Sequence, residues 1–186
     1  MKRLTDLTLC IGAICLLALS LIVIALMVRL TSRGPALYWS DRVGLRNKLF
    51  RMPKFRSMHV SAPTVATHLL DNPASHLTPI GSFLRKTSLD ELPQLWSILL
   101  GDMSFVGPRP ALFNQTDLIA QRTKLEVHRM VPGLTGWAQV NGRDELPITQ
   151  KVALDAYYAK HRSMAMDIRI LWMTLVKVIN REGVTH

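Results

Sequence analysis

The sequence predicts a mainly α chain with small β and loop elements: a membrane-embedded N-terminal helix over residues 1–30 and a folded domain over 31–186 at the cytoplasmic membrane surface. Three observations predict it. No residue from Leu7 to Val28 is charged, and these 22 residues, at about 1.5 Å each, give roughly 33 Å, the thickness of a bilayer's hydrocarbon core. The rest of the 186-residue chain is long enough for one core. Apolar residues recur there mostly at helical spacing.

A cleaved signal peptide fits the front segment poorly. Lys2 and Arg3 make a basic start, but the apolar run exceeds the ~7–15 residues usual in a signal peptide, and Arg29 and Arg33 stand where small residues should mark cleavage. Arg29, Arg33, Arg42, Arg46, Lys48 and Arg51 follow the run, so its C-terminal side is expected in the cytoplasm. The N-terminal side is basic too, which suits a segment that enters and leaves by one face. Such a bend needs a breaker, and only Gly12 and Ser20 interrupt the run, without a proline. Cys10 and Cys15, the two cysteines, both lie inside it, which leaves neither a disulfide framework nor a zinc site. The net charge of +10, from 23 Lys and Arg against 13 Asp and Glu, calls for a polyanionic partner. With a membrane segment present, lipid headgroups or phosphorylated substrates are favoured over nucleic acid.

Gly34-Pro35 makes a turn after the apolar helix, and short alternating stretches follow as strands or extended loops. Ser61–Pro79, rich in Ser, Thr, Pro and Asn, reads as a surface loop, with His59, His68 and His76 as surface residues rather than ligands. "IGSFLRKT" reads as a short helix, and a second begins near Ser88. Ala111–Met130 reads as an amphipathic helix, and "VPGLTGWAQVNGRDELP" as a loop or tight hairpin. Helices over Ile148–Lys160 and Asp167–Asn180 close the chain, the second with Ile168, Leu171, Trp172, Leu175 and Ile179 at helical spacing.

"SLDELPQLW" carries the chemistry. Pro93 disfavours a helix interior, so the helix starts just before it, with Asp90 and Glu91 in its first turn and Leu92, Leu95, Trp96 and Leu99 as its buried stripe. Ser88-Leu89-Asp90-Glu91 also fits the S-x-x-E capping box, and acids in a first turn are favoured by about 0.3–1 kcal/mol. Capping, however, does not call for the cations nearby: Arg85 and Lys86 upstream, Arg109 in "GPRP", Lys54 and Arg56 in "PKFRSM", and Arg143 in "NGR". A carboxylate attacking a phosphoryl group does call for them, because cations or Mg²⁺ must offset the repulsion between two anions.

With these residues assembled, the chain resembles the bacterial sugar transferase family, the small monotopic phosphoglycosyl transferases. The likeness runs through "RLTSRGPALYWSDRVG", "KFRSM", "LTPIGSFLRKTSLDELPQLWSILLGDMSFVGPRP", "VPGLTGWAQVNGR" and the closing "LDAYYAKHRSMAMDIRILWMTLVKVI". The resemblance implies transfer of a sugar 1-phosphate from a UDP-sugar to undecaprenyl phosphate at the cytoplasmic face of the inner membrane, releasing UMP. It assigns Asp90 as the nucleophile of a covalent intermediate and Glu91 as its partner, the two holding Mg²⁺, with Arg85, Lys54, Arg109 and Arg143 on basic family positions; Arg56, from its place in "PKFRSM", is expected to join them in binding phosphate. It also implies a re-entrant membrane helix, an anionic phospholipid surface as partner and a homodimer as one allowed assembly. The usual Ser-Pro breaker is missing near Leu19 and Ser20, which keeps a straight single span open. The competing reading is a membrane-tethered basic protein that binds anionic lipid or nucleic acid without chemistry; stacking aromatics suited to nucleic acid are scarce.

Overall fold

The computed structural model describes residues 2–63, 72–142 and 146–180. Helix α1 (Lys2–Thr31) is uninterrupted, with Gly12 and Ser20 inside it. Its 30 residues extend about 45 Å. Two strands follow, β1 (Leu37–Val43) and β2 (Leu49–Phe55). They pair antiparallel around Gly44 and a 3-10 turn, with Ser40 opposite Met52 and Tyr38 opposite Lys54. Of the strands or extended loops expected for this stretch, the structure has strands.

Helix α2 (Gly81–Lys86), a 3-10 turn at Leu89–Gln94 and helix α3 (Leu95–Leu100) come next. Strands β3 (Ser104–Val106) and β4 (Ala111–Leu112) then flank the "GPRP" segment. β4 adds to β1, giving the order β2-β1-β4. The amphipathic helix expected over Ala111–Met130 is shorter than its periodicity suggests. Its first residues pair as β4, α4 covers Thr116–Lys124, and Glu126, with φ of 60°, breaks the chain into a 3-10 turn at Val127–Arg129. "VPGLTGWAQV" is neither loop nor hairpin: β5 (Gly133–Thr135) runs parallel to β3, and α5 (Trp137–Val140) follows. A parallel partner far away in sequence leaves no local hairpin signature. Helices α6 (Ile148–His161) and α7 (Met164–Asn180) close the fold much as expected.

The packing of α1 decides how the rest is held. Asp6, Cys10, Ile24 and Val28 are buried, with Ala13, Ile14, Leu21 and Ala25 packed beside them. This stripe at helical spacing runs nearly the whole helix. Cys10 meets Met52, Leu95, Ile98 and Met103, while Ile24 and Val28 meet Phe55 and Leu84. Both ends are also tied to the folded domain. At the start, Lys2 Nζ pairs with Asp167 at 2.5 Å, Arg3 donates to the carbonyls of Ile98 and Leu99 that end α3, and Asp6 accepts from the Phe105 amide. Past the other end, Arg56 donates to the carbonyls of Ser32, Arg33 and Pro35. The opposite face of α1, with Leu9, Leu16, Leu19, Ile22, Leu26 and Leu30, stays exposed. By length and composition this helix is apolar enough to cross a membrane, yet its two ends meet one domain.

Two apolar stripes behave differently from simple burial. On α3, Leu95 and Ile98 are buried but Trp96 is 51% exposed, so Trp96 leaves the stripe assigned to it. On α7, Ile170 is fully buried against Val106, Val140 and Tyr158, whereas Ile168, Trp172 and Leu175 face outward. Periodicity identifies an apolar face but not what covers it.

Candidate active site

Row geometry on β2 brings the first cation in. Phe50, Met52 and Lys54 share one face of the strand; the first two pack against Cys10, Leu95 and Ile98, and Lys54 Nζ reaches Glu91 Oε1 at 2.9 Å. Arg109 approaches Glu91 from the other side. Its guanidinium forks over the carboxylate, Nη2 on Oε1 and Nη1 on Oε2, the bidentate geometry that makes an Arg–carboxylate pair strong.

The loop carrying Arg109 is fixed by close backbone contact. The amide of Gly107 donates to the Thr135 carbonyl at 2.9 Å, and that of Gly133 to the Pro108 carbonyl at 2.9 Å. A Cβ on Gly133 would lie 2.1 Å from the Gly107 nitrogen, and one on Gly107 would lie 2.6 Å from the Val131 oxygen, so only glycine permits this approach. Arg122 then braces the loop from α4. It gives Nη1 to the Arg109 carbonyl at 2.7 Å and both Nε and Nη2 to Asp155 Oδ2 on α6, at 2.9 and 2.6 Å. Asp155 is 1% exposed.

Arg85 arrives through Gly81. A Cβ there would meet the Ser57 carbonyl at 2.0 Å, so the start of α2 sits directly on the end of β2, and one turn later Arg85 Nε donates to Ser57 Oγ at 3.1 Å. Burial pulls the Arg85 guanidinium below its ordinary value, opposed by the charges of Asp90 and Glu91.

Ser88 makes no side-chain cap and has a φ of 55°, in the left-handed region. The capping box is therefore not formed, and Glu91 turns to Lys54 and Arg109 instead. The two acids differ sharply. Burial pushes the Glu91 carboxyl up, but the charges and hydrogen bonds of Arg109 and Lys54 override it and hold the group well below the usual range. Asp90 is 7% exposed and, among the described residues, accepts no hydrogen bond and makes no ion pair. Burial raises its pKa; Lys54 lowers it, Glu91 raises it further, and Arg85 and Arg109 lower it.

The sequence-derived set is thus partly assembled. Lys54, Arg85, Asp90, Glu91 and Arg109 converge. Arg56 does not join them: it is 4% exposed, and its Nε, Nη1 and Nη2 hold the carbonyls of Pro35, Arg33 and Ser32 just after α1. Arg143 lies outside the described residues, as does His68. Ser57, Arg122 and Asp155 were missed. Arg122 and Asp155 stand 33 residues apart on two helices, and nothing local in the sequence couples them.

A divalent cation has a limited set of donors here. Among the described residues no cluster of three or more His, Cys, Asp or Glu exists. The free oxygens of Asp90 fit a metal that arrives with substrate phosphates, since Mg²⁺ commonly takes one or two carboxylates plus phosphate and water. Glu91 joins only if Lys54 or Arg109 turns away.

A buried acid and a half-buried one among three cations, fixed on a sheet edge and a glycine-locked loop, suit an anionic substrate. The profile of the bacterial sugar transferase family matches residues 1–181, and the chain belongs to that family. It is 38% identical to the uncharacterized sugar transferase EpsL of Bacillus subtilis strain 168, over 99% of this chain and 90% of that protein. It is also 38% identical to the UDP-glucose:undecaprenyl-phosphate glucose-1-phosphate transferase of Escherichia coli K12, over 95% of this chain but 40% of the relative. With the undecaprenyl-phosphate glucose phosphotransferase of Komagataeibacter xylinus it shares 38% identity, over 96% of this chain and 36% of that protein. The chain therefore spans well under half of the length of these last two relatives.

Proposed function

We propose that the protein transfers a sugar 1-phosphate from a UDP-sugar to undecaprenyl phosphate through a covalent intermediate on Asp90. The division of labour between the two acids carries this reading: Glu91 is locked by Lys54 and Arg109, and Asp90 is buried among cations with no hydrogen bond or ion pair to its oxygens among the described residues. In the first step an Asp90 oxygen attacks the phosphorus bearing the sugar, the diphosphate P–O bond breaks, and UMP leaves with the electron pair. In the second, a phosphate oxygen of the lipid attacks the same phosphorus, the aspartyl P–O bond breaks, and Asp90 is restored. Splitting the transfer lets a water-soluble donor and a lipid acceptor use one site in turn. Arg109 and Lys54 hold Glu91 in place and, with Arg85, set positive charge where phosphate charge grows as the bond breaks. Mg²⁺, held by Asp90 and the diphosphate with Glu91 nearby, would neutralise further charge.

The site belongs at the cytoplasmic face of the inner membrane, with both ends of α1 on that face; because α1 is one unbroken helix packed along the domain, it lies along the interface instead of bending back as a re-entrant segment would. Support comes from the ties of Lys2, Arg3 and Asp6 at one end and of Arg56 at the other to a single domain. Its exposed apolar face, and that of α7 with Ile168, Trp172 and Leu175, suit contact with acyl chains beneath anionic headgroups. The test uses purified protein, a UDP-sugar panel and a short polyprenyl phosphate. UMP and lipid-linked sugar should appear together, stop in excess EDTA and vanish in Asp90→Asn. Full activity in that variant would remove Asp90 from the chemistry, and wild-type protein that releases no UMP with any donor would leave membrane-tethered binding as the role.

A further inference from the structure

The "GPRP" loop, Gly107 to Pro110, contains two prolines, and a proline has no N–H with which to anchor a loop. Its carbonyls must therefore carry much of the anchoring. Each of the four residues has a backbone group tied elsewhere in the fold. The Gly107 amide donates to the Thr135 carbonyl, the Pro108 carbonyl accepts from the Gly133 amide, and the Arg109 carbonyl accepts from Arg122. The fourth, the Pro110 carbonyl, accepts from Arg42 Nη1 at 3.3 Å.

Strand pairing places Arg42 for that contact. It stands on β1 opposite Leu112 of β4, two residues past Pro110, so its side chain reaches the end of the loop. Its Nε donates to Ser40 Oγ at 2.9 Å, and Ser40, on the same face of β1, is 1% exposed. A buried hydroxyl thus sets the plane of the guanidinium. Across the hairpin Arg42 faces Phe50, whereas Lys54, which grips Glu91, lies four residues further along β2, about 13 Å away at ~3.3 Å per residue. Arg42 is aimed at the loop and not at the acid pair.

We propose that Arg42 is a positioning residue for the transfer, acting through Arg109, with Ser40 aiming it. The proposal rests on the reading of Arg109 as the cation that holds Glu91 and faces the phosphate charge as it grows. Arg122 and Arg42 grip the carbonyls of two consecutive residues, Arg109 and Pro110, one from α4 and the other from β1. With both carbonyls pinned, the backbone that carries the Arg109 side chain cannot swing, and its guanidinium keeps the two-point fork on Glu91. Loss of one grip lets the peptide rotate and the fork drift, and a drift of about 1 Å at a catalytic group is enough to cost about a hundredfold in rate.

A mutant cycle tests it. Arg42→Gln and Ser40→Ala are each made in the wild-type chain and in Arg109→Gln, and kcat, KM for the UDP-sugar, KM for polyprenyl phosphate and the melting temperature are measured. In the wild-type chain Arg42→Gln should lower kcat about tenfold and Ser40→Ala about threefold, with both KM values changed less than about twofold. In Arg109→Gln either change should alter the residual rate by less than about twofold, because the group being positioned is gone. Arg42→Lys still donates to the Pro110 carbonyl and should keep kcat within about threefold of wild type. Where Arg42→Gln does not fold, Ser40→Ala carries the same cycle. An equal fold loss in both backgrounds, the mark of a merely structural role or of direct contact with substrate, would overturn the proposal, as would a raised KM with kcat unchanged. Wild-type protein that releases no UMP from donor plus acceptor would instead sink the transferase reading, and this proposal with it.

Discussion

Replacing Asp155 by alanine leaves the Arg122 guanidinium, 8% exposed, without its counter-ion. Removing one partner of a buried pair costs about 3–5 kcal/mol, because the remaining charge is neither solvated nor neutralised. In a chain of this size each kcal/mol moves the melting temperature by about 2–4 °C, so the expected fall is about 6–20 °C. Circular dichroism melts in detergent or nanodiscs would read it. The damage should extend to the chemistry, since Arg122 also holds the Arg109 carbonyl at 2.7 Å. At temperatures well below the melting point, kcat should drop at least tenfold as the "GPRP" loop loosens. Replacing both partners by leucine should recover most of the stability, because two apolar groups need no partner, but not the activity. A fall below about 2 °C in Asp155→Ala, or a double variant no more stable than the single one, would refute the brace.

Arg56→Ala should destabilise the protein by about 2–3 kcal/mol, since charge-assisted hydrogen bonds to carbonyls after α1 are lost; chemical denaturation measures it, and the rate of the folded fraction should change less than twofold. The rate of covalent-intermediate formation should fall as pH drops through the raised Asp90 pKa, because the nucleophile must be ionised, and this limb should lie above the ordinary Asp value of about 3.9. Arg85→Gln removes a nearby cation and should move the limb upward; a downward move would contradict the assignment. The linked stabilities run oppositely. Asp90, with a raised value, contributes below its unfolded pKa and loses that contribution as pH rises through the folded one. Glu91, with a depressed value, contributes above its unfolded pKa and loses it as pH falls. Melting temperatures of Asp90→Asn and wild type across pH should therefore diverge upward through the Asp90 limb, with the variant gaining relative stability.

Much of this site was legible in the sequence because its pieces sit in short, chemically unusual strings. "SLDELP" placed the acids before a proline, "GPRP" put an arginine in a stiff turn, and "PKF" ended an alternating strand. The uncharged run before Arg29 marked the long apolar helix α1. What stayed hidden depends on neighbours supplied by distant chain. Arg56 stands two residues from Lys54 on the same string, yet it follows the strand, and its three donors meet the carbonyls after α1. Ser88 fits a capping box by letter, but its left-handed backbone and the pull of Lys54 and Arg109 on Glu91 preclude the cap. Trp96 has the spacing of a core residue and lies in the open because α3 is only six residues long and packs through Leu95 and Ile98.

Intact-protein mass spectrometry after addition of the UDP-sugar donor, with no lipid acceptor, tests the central claim most directly. The account predicts a mass increase of one sugar phosphate, mapped by peptide analysis to Asp90, and its disappearance on adding polyprenyl phosphate. An adduct on Glu91 would contradict the roles assigned to the pair, and full turnover without an adduct under any condition would contradict the covalent route.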